Sequence, residues 1–267
     1  MSSSTPYAGV DPASYDNVLG PVLFEPYAED LAERIAPDLI EGPLLELACG
    51  TGILTAHLCS RPGFTIVASD ADEDMLNRAR QKLSGRPVQW QLADAMSLPF
   101  MDACFSGVIC QFGFMFFSDK EKAFAEAWRV LKPGGRILFN TWDRATANPR
   151  SAIVPEAMRR VVGTNAPDME KKGPYSFFDA AEISRLLDAA GFRQTRIEAV
   201  RKTGVYGDAS IFAKGLIDGS PLVSYLKRLA KPEANRIRRA ILDALLEQES
   251  IYGRQVPMQA LVCEGLK

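Results

Sequence analysis

Three acids sit at or just beyond the ends of three successive apolar runs: Glu46 in "LLELACGTG", Asp70 closing "FTIVASD" and Asp94 in "LADAMSLPF". An ionised carboxylate only accepts hydrogen bonds and attracts cations, so a ligand facing it must bring donors or positive charge. Between the first two acids the chain breaks into small residues, with Ala48, Gly50 and Gly52 spaced two apart. Missing side chains let a ligand lie against the backbone. Glu46 stands where a pyrophosphate would be repelled, so the turn expects an ammonium group or a hydrogen-bond donor. Asp70 follows Gly52 by 18 residues, where an acid can take hydrogen bonds from both hydroxyls of a ribose. Two phosphate-binding patterns fit poorly. The dinucleotide fingerprint wants a third small residue where Thr55 stands, and no Gly-Lys-Ser/Thr follows the glycines.

Positioning these acids requires a particular set of elements. "PLLEL", "FTIVAS", "VQWQL", "CFSGVICQFGF" and "RILFNTW" read as five buried strands. Helical patterns separate most of them, with Met75, Leu76, Ala79 and Leu83 on one stripe and Ala123, Phe124, Ala127, Val130 and Leu131 on another. Ser118 and Glu121 form a capping-box pattern ahead of the second stripe, and Pro133, Gly134 and Gly135 follow it. Strands alternating with helices predict a parallel sheet covered on both faces, whose carboxyl edge binds ligands. The second half adds a helix capped by Asp179, a sixth strand "RQTRIEAVR", helices over 208–252 and a last strand, "PMQALVCEGL". The expectation is a single α/β domain over 1–267. It divides into an N-terminal segment and helix (1–40), a core (41–142) and insertions at 143–178 and 208–252. The first dozen residues, rich in Ser and Pro, read as an unstructured lead-in.

The ordered set "LLELACGTG", "ASDADEDML", "LADAMSLPF" and "LKPGGRILF", over about residues 40–141, resembles the class I S-adenosylmethionine-dependent methyltransferases. Within them it is similar to the small-molecule enzymes related to the quinone-biosynthesis methylases. The family's usual first glycine is Ala48 here. The resemblance implies a Rossmann-like sheet of seven strands, mostly parallel with the last antiparallel, helices on both faces, and "PMQALVCEGL" as that last strand. It implies S-adenosylmethionine as cofactor and S-adenosylhomocysteine as product. Glu46 would position the turn and the methionine ammonium, and Ala48, Gly50 and Gly52 would let the methionyl and ribose portions approach. Asp70 would hold the ribose hydroxyls, with Ala71 and Met75 packing on the adenine. Asp94 would accept from the adenine amino group and the Ala95 backbone would contact the ring. Gln111 and Phe112 would border the methyl group.

A sulfonium is already an activated methyl donor, so a methyltransferase needs chiefly to hold a nucleophile in line and exclude water. The one histidine, His57, follows the glycine turn on the cofactor side and reads as a packing or surface residue. No catalytic residue is assigned. The acceptor is either nucleophilic unaided or yields its proton to a carboxylate, tyrosine or water. Tyr15, Phe24, Trp142, Tyr175 and Phe178 lie outside the repeating core and are substrate-pocket candidates suited to a planar or apolar small molecule, and the two insertions form a lid.

Bulk properties narrow the remaining classes. Formal net charge is -2, with 47% hydrophobic and 24% charged residues, so no whole-chain field favours nucleic acid or anionic lipid. "CQFGFMFF" also lacks the Asn/Asp-Pro-Pro-Tyr/Phe mark of base amino-group methylation. Five scattered cysteines without a CxxC pair suit reduced thiols and no metal site. The start lacks a signal-peptide pattern, no run reaches a membrane span, and the expected location is cytoplasmic. Two other readings stay open: a catalytically silent cofactor-binding protein and, disfavoured by the glycine spacing, Glu46 and the Asp94 motif, an NAD-dependent oxidoreductase.

Overall fold

The computed structural model describes residues 7, 9–35, 42–61, 63–163, 166 and 173–267. Parts of the expected N-terminal segment and of the 143–178 insertion lie outside these. Seven strands form one sheet: β1 (Pro43–Leu47), β2 (Thr65–Asp70), β3 (Val88–Leu92), β4 (Phe105–Gln111), β5 (Leu131–Trp142), β6 (Arg193–Val205) and β7 (Gln255–Leu266). Their order is β3-β2-β1-β4-β5-β7-β6. β1 to β5 are parallel, and β7 runs antiparallel to both its neighbours, as the resemblance implies. Strand order reverses between β1 and β4, so the crevice of this sheet opens beyond the carboxyl ends of that pair. Glu46 pairs with Ile109 and Leu47 with Cys110 in register, which puts the glycine turn and the end of β4 side by side.

The central strands are buried because they carry unbroken apolar runs. Leu44, Leu45 and Leu47 are fully enclosed, each contributing about 1.5–3 kcal/mol by leaving water. The helices of the first half are α1 (Pro12–Ser14), a π-helix (Tyr15–Phe24), α2 (Glu25–Arg34), α3 (Ile53–Cys59), α4 (Glu73–Lys82) and α5 (Lys120–Val130). Asp72 caps α4 by accepting from the N–H groups of Asp74 and Met75, worth about 1 kcal/mol. The cap of α5 differs from the Ser118 pattern. Asp119 accepts from Lys122 N–H at 2.9 Å, while the Ser118 hydroxyl turns to Met96 Sδ. In the second half lie α6 (Ile153–Val162), α7 (Ala180–Ala190), α8 (Ala209–Asp218), α9 (Leu222–Leu226) and α10 (Lys231–Tyr252).

Among the first dozen residues, those described (7 and 9–12) depart from the expected unstructured lead-in, and the rest lie outside the described residues. Val10 is buried with Met75 and Val223, Tyr7 packs on them, and Asp11 caps α1 through the N–H groups of Ala13 and Ser14. Apolar contact with α4 and α9 orders Tyr7 and Val10.

Candidate functional site

Three residues of the turn between β1 and α3 have left-handed backbone: Ala48 (φ 51°), Gly50 (φ 55°) and Gly52 (φ 74°). At Gly50 a Cβ would meet only the Tyr15 ring, whose Cε1 lies 3.9 Å from that point. The face bared by this glycine is therefore roofed by an aromatic ring. Asp70 closes the turn from β2. Its Oδ2 accepts from Gly50 N–H at 2.7 Å and its Oδ1 from Asp72 N–H at 2.8 Å. Those bonds use two of roughly four lone-pair directions, leaving capacity for hydroxyl donors. Burial, opposed by these backbone bonds, pushes its carboxyl up to about 6.

Glu46 is the most enclosed acid of the site, 1% exposed. Its Oε2 accepts from the Thr55 hydroxyl at 2.7 Å. Desolvation raises its carboxyl to about 8, against the opposing Thr55 bond and with Asp70 adding to the rise. Thr55, which breaks the dinucleotide fingerprint, is the residue that ties Glu46 to α3. Burial disfavours the charged form of both acids, so a ligand bringing a cation or hydrogen-bond donors would relieve that cost by stabilising the carboxylates, and a phosphate would not.

At the end of β4, Phe112 adopts left-handed backbone (φ 51°), a conformation costing about 1–3 kcal/mol for a residue of this kind. Two interactions hold it. Its N–H donates to Asn140 Oδ1 at 2.8 Å, and its ring stacks on Trp142 at 4.1 Å with a 13° interplanar angle. Gly113 follows because a Cβ there would fall 2.5 Å from Cys110 Sγ and 2.8 Å from Ala48 Cβ. Gln111 donates from Nε2 to the Phe24 carbonyl at 2.8 Å, fixing the end of the π-helix.

From Phe112 the aromatic contacts run in both directions. Tyr27 meets Phe112 and Trp142 edge-on at 5.3 and 5.5 Å, and Tyr175 lies 6.1 Å from Trp142. On the other side Phe24 lies 5.9 Å from Phe112 and stacks on Tyr15 at 4.8 Å, and Tyr7 joins Tyr15 to Phe116. The structure thus brings together Tyr15, Phe24, Trp142 and Tyr175 beside Phe112, but not Phe178. That ring is 38% exposed against the Arg144 guanidinium, because Phe177 takes the buried position and offers its carbonyl to the Thr141 hydroxyl.

The remaining residues spread along the same edge. Met75 is buried under Val10 and Val223, Ala71 is exposed, Asp94 accepts from Met96 N–H at 2.9 Å and Ala95 is buried. The π-helix is pinned over the turn by Asp16, which accepts from Thr51 Oγ1 (2.8 Å), Arg78 Nε (3.2 Å) and Lys82 Nζ (2.6 Å). His57 instead pairs with Glu25 at 2.5 Å, clamping α3 to the start of α2. Asn140, Asp16 and Tyr27 shape this site without being marked by sequence patterning, because their partners lie 28 or more residues away in the chain. Among the described residues no cluster of His, Cys, Asp and Glu could hold a metal ion, and no helix is long and apolar enough to cross a membrane.

Comparison with known proteins gives the family. A family profile described as "Methyltransferase domain" matches residues 45–139. A demethylmenaquinone methyltransferase of Deinococcus radiodurans is 43% identical over 169 residues, covering 59% of this chain and 70% of that protein. The chain belongs to the class I S-adenosylmethionine-dependent methyltransferases. The corresponding Thermus thermophilus enzyme is 46% identical over 114 residues, and this methyltransferase matches 50% of its length and 42% of its own. Among solved structures, a Haemonchus contortus phosphoethanolamine N-methyltransferase holding S-adenosylhomocysteine aligns with a TM-score of 0.62 at 15% identity. It covers 96% of this chain and 56% of that one, a likeness of fold alone. The cofactor of the methyltransferase family carries an ammonium, a sulfonium and a ribose diol. The buried acids and the cradle at Gly50 fit that set of groups.

Proposed function

We propose that this methyltransferase methylates a planar, largely apolar small molecule held against the Phe112–Trp142 stack and the rings of Tyr15, Phe24, Tyr27 and Tyr175. The observation that carries this reading is the unbroken aromatic series at the carboxyl ends of β4 and β5, beside the glycine turn. Glu46, Asp70, Ala71, Met75, Asp94 and the backbone of Ala48, Gly50, Gly52 and Ala95 would hold S-adenosylmethionine, with Gln111 and Phe112 bordering its methyl end. When bound, that cofactor supplies an electrophilic methyl group.

The chain's contribution is then orientation and dryness. Stacked rings hold a flat acceptor in one plane, and the N-terminal cover excludes water, the conditions under which proximity alone lowers a barrier by several kcal/mol. Burial pushes the Tyr175 and Tyr27 hydroxyls well above their usual range, as it does that of Tyr15. They stay protonated at neutral pH, so they donate hydrogen bonds and do not remove protons. An acceptor that brings its own nucleophilicity, as a phenolate or an activated ring carbon does, needs no base from these rings. The name of the Deinococcus relative, a demethylmenaquinone methyltransferase, points to a quinone ring of that kind. The insertions at 143–178 and 208–252 would complete the pocket as a lid.

The test is product formation from S-adenosylmethionine with matched acceptors, read by mass spectrometry: reduced naphthoquinones and naphthols against aliphatic amines and carboxylates. The reading expects methylated ring compounds. Turnover of the aliphatic set alone would overturn it.

A further inference from the structure

Asn140 is fully buried at the carboxyl end of β5, in register with Gln111 on β4. It shares a sheet face with Trp142, two residues on, while Thr141 points to the opposite face and bonds Phe177. The orientation of its carboxamide is fixed. Oδ1 must face Phe112, because the Phe112 N–H donates to it at 2.8 Å and the amide's own N–H groups cannot accept. That directs Nδ2 away from Phe112, and it has no hydrogen-bond partner. A buried amide nitrogen left unpaired destabilises the fold unless something outside the chain satisfies it. Its position is next to the residues that form the aromatic site: Phe112, which it holds, and Trp142, which stacks on Phe112 at 4.1 Å.

We infer that Asn140 is a specificity-determining residue whose Nδ2 donates a hydrogen bond to an oxygen or nitrogen on the ring of the acceptor. The inference rests on the aromatic-acceptor reading and sharpens it. Stacking alone accepts any flat hydrocarbon, while a buried donor discriminates in favour of a ring bearing a carbonyl, phenolate or ring nitrogen. Discrimination of this kind is strong because the wrong ligand leaves the buried donor unpaired. The same carboxamide then has two duties: one end holds the strained Phe112 backbone and the other reads the acceptor.

The test uses two flat bicyclic probes of similar size, chromone, whose carbonyl accepts but does not donate, and naphthalene. Their affinities are measured by calorimetry on the full chain with S-adenosylhomocysteine present. The expected result is chromone binding at least tenfold more tightly, although it is the less apolar probe. In Asn140→Asp, which keeps an acceptor for the Phe112 N–H and removes the Nδ2 donor, that ratio falls to about one or below. A merely structural Asn140 would weaken both probes alike and leave the ratio unmoved. Equal affinity of the two probes for the unmodified protein overturns the inference and leaves the aromatic site standing, and this arm needs no variant to fold. Failure of both probes to bind overturns the aromatic site itself and this inference with it.

Discussion

Replacing Asp16 tests how the N-terminal cover is held over the glycine turn. Three donors converge on this side chain, which is 6% exposed: the Thr51 hydroxyl, the Arg78 guanidinium and the Lys82 ammonium. In Asp16→Ala, the fully buried Thr51 hydroxyl loses its acceptor, at about 1–3 kcal/mol. Arg78 and Lys82 keep contact with water, at 31% and 26% exposure, so each lost ion pair is worth about 0.2–1 kcal/mol. The expected total is about 2–4 kcal/mol, read as a lower urea midpoint at unchanged slope. Asp16→Asn keeps an acceptor for Thr51 and loses only the charge, so its cost should be about 1 kcal/mol. Because these bonds tie the π-helix to the turn and to α4, Asp16→Ala should also speed S-adenosylmethionine release by tenfold or more in stopped-flow displacement. An Asn variant as damaging as the Ala variant, or an Ala variant with unchanged midpoint and release, would refute the reasoning.

The other predictions concern the acids and the histidine. Glu46 has its carboxyl raised to about 8, chiefly by burial, so its contribution to stability is full below about 4.5, declines as pH rises and is gone above about 8. Glu46→Gln lacks that slope; without cofactor it should exceed the unmodified protein by several kcal/mol at pH 9 in urea titrations, while binding S-adenosylmethionine at least tenfold more weakly. Asp70→Ala should lower cofactor affinity at least tenfold by calorimetry, since hydrogen bonds to a charged carboxylate are worth about 1.5–3 kcal/mol. His57 is raised by its hydrogen bond to Glu25, so that contribution is full below about 6.5 and lost as pH rises through its raised value. Both partners are partly exposed, which limits the effect to under about 1 kcal/mol. His57→Gln should retain turnover and lose stability only on the acid side.

Much of the fold was legible because it rests on local periodicity. Apolar runs such as "PLLEL" and "FTIVAS", each followed by small or acidic residues, fix strands and sheet edge together. The carboxylates at that edge follow from the same reading. What escaped it depends on closure in three dimensions. Asp16 meets partners 35 and 66 residues away, and Phe112 meets Asn140 across 28. No spacing rule marks such pairs. The ten-residue π-helix was also hidden, since Tyr15–Phe24 carries an ordinary helical pattern around Pro21. Its register comes from packing on Ile53 and on the turn. The cap of α5 shows a narrower limit: Ser118 and Asp119 are both good capping residues, and contact with Met96 decides between them.

Whether the turn at Gly50, with Glu46 and Asp70, holds S-adenosylmethionine is tested by calorimetric titration of the purified protein with S-adenosylmethionine and, separately, with NAD. Saturable binding of S-adenosylmethionine alone is expected, weakened at least tenfold in Asp70→Ala. Saturable binding of NAD, with none of S-adenosylmethionine, would contradict it.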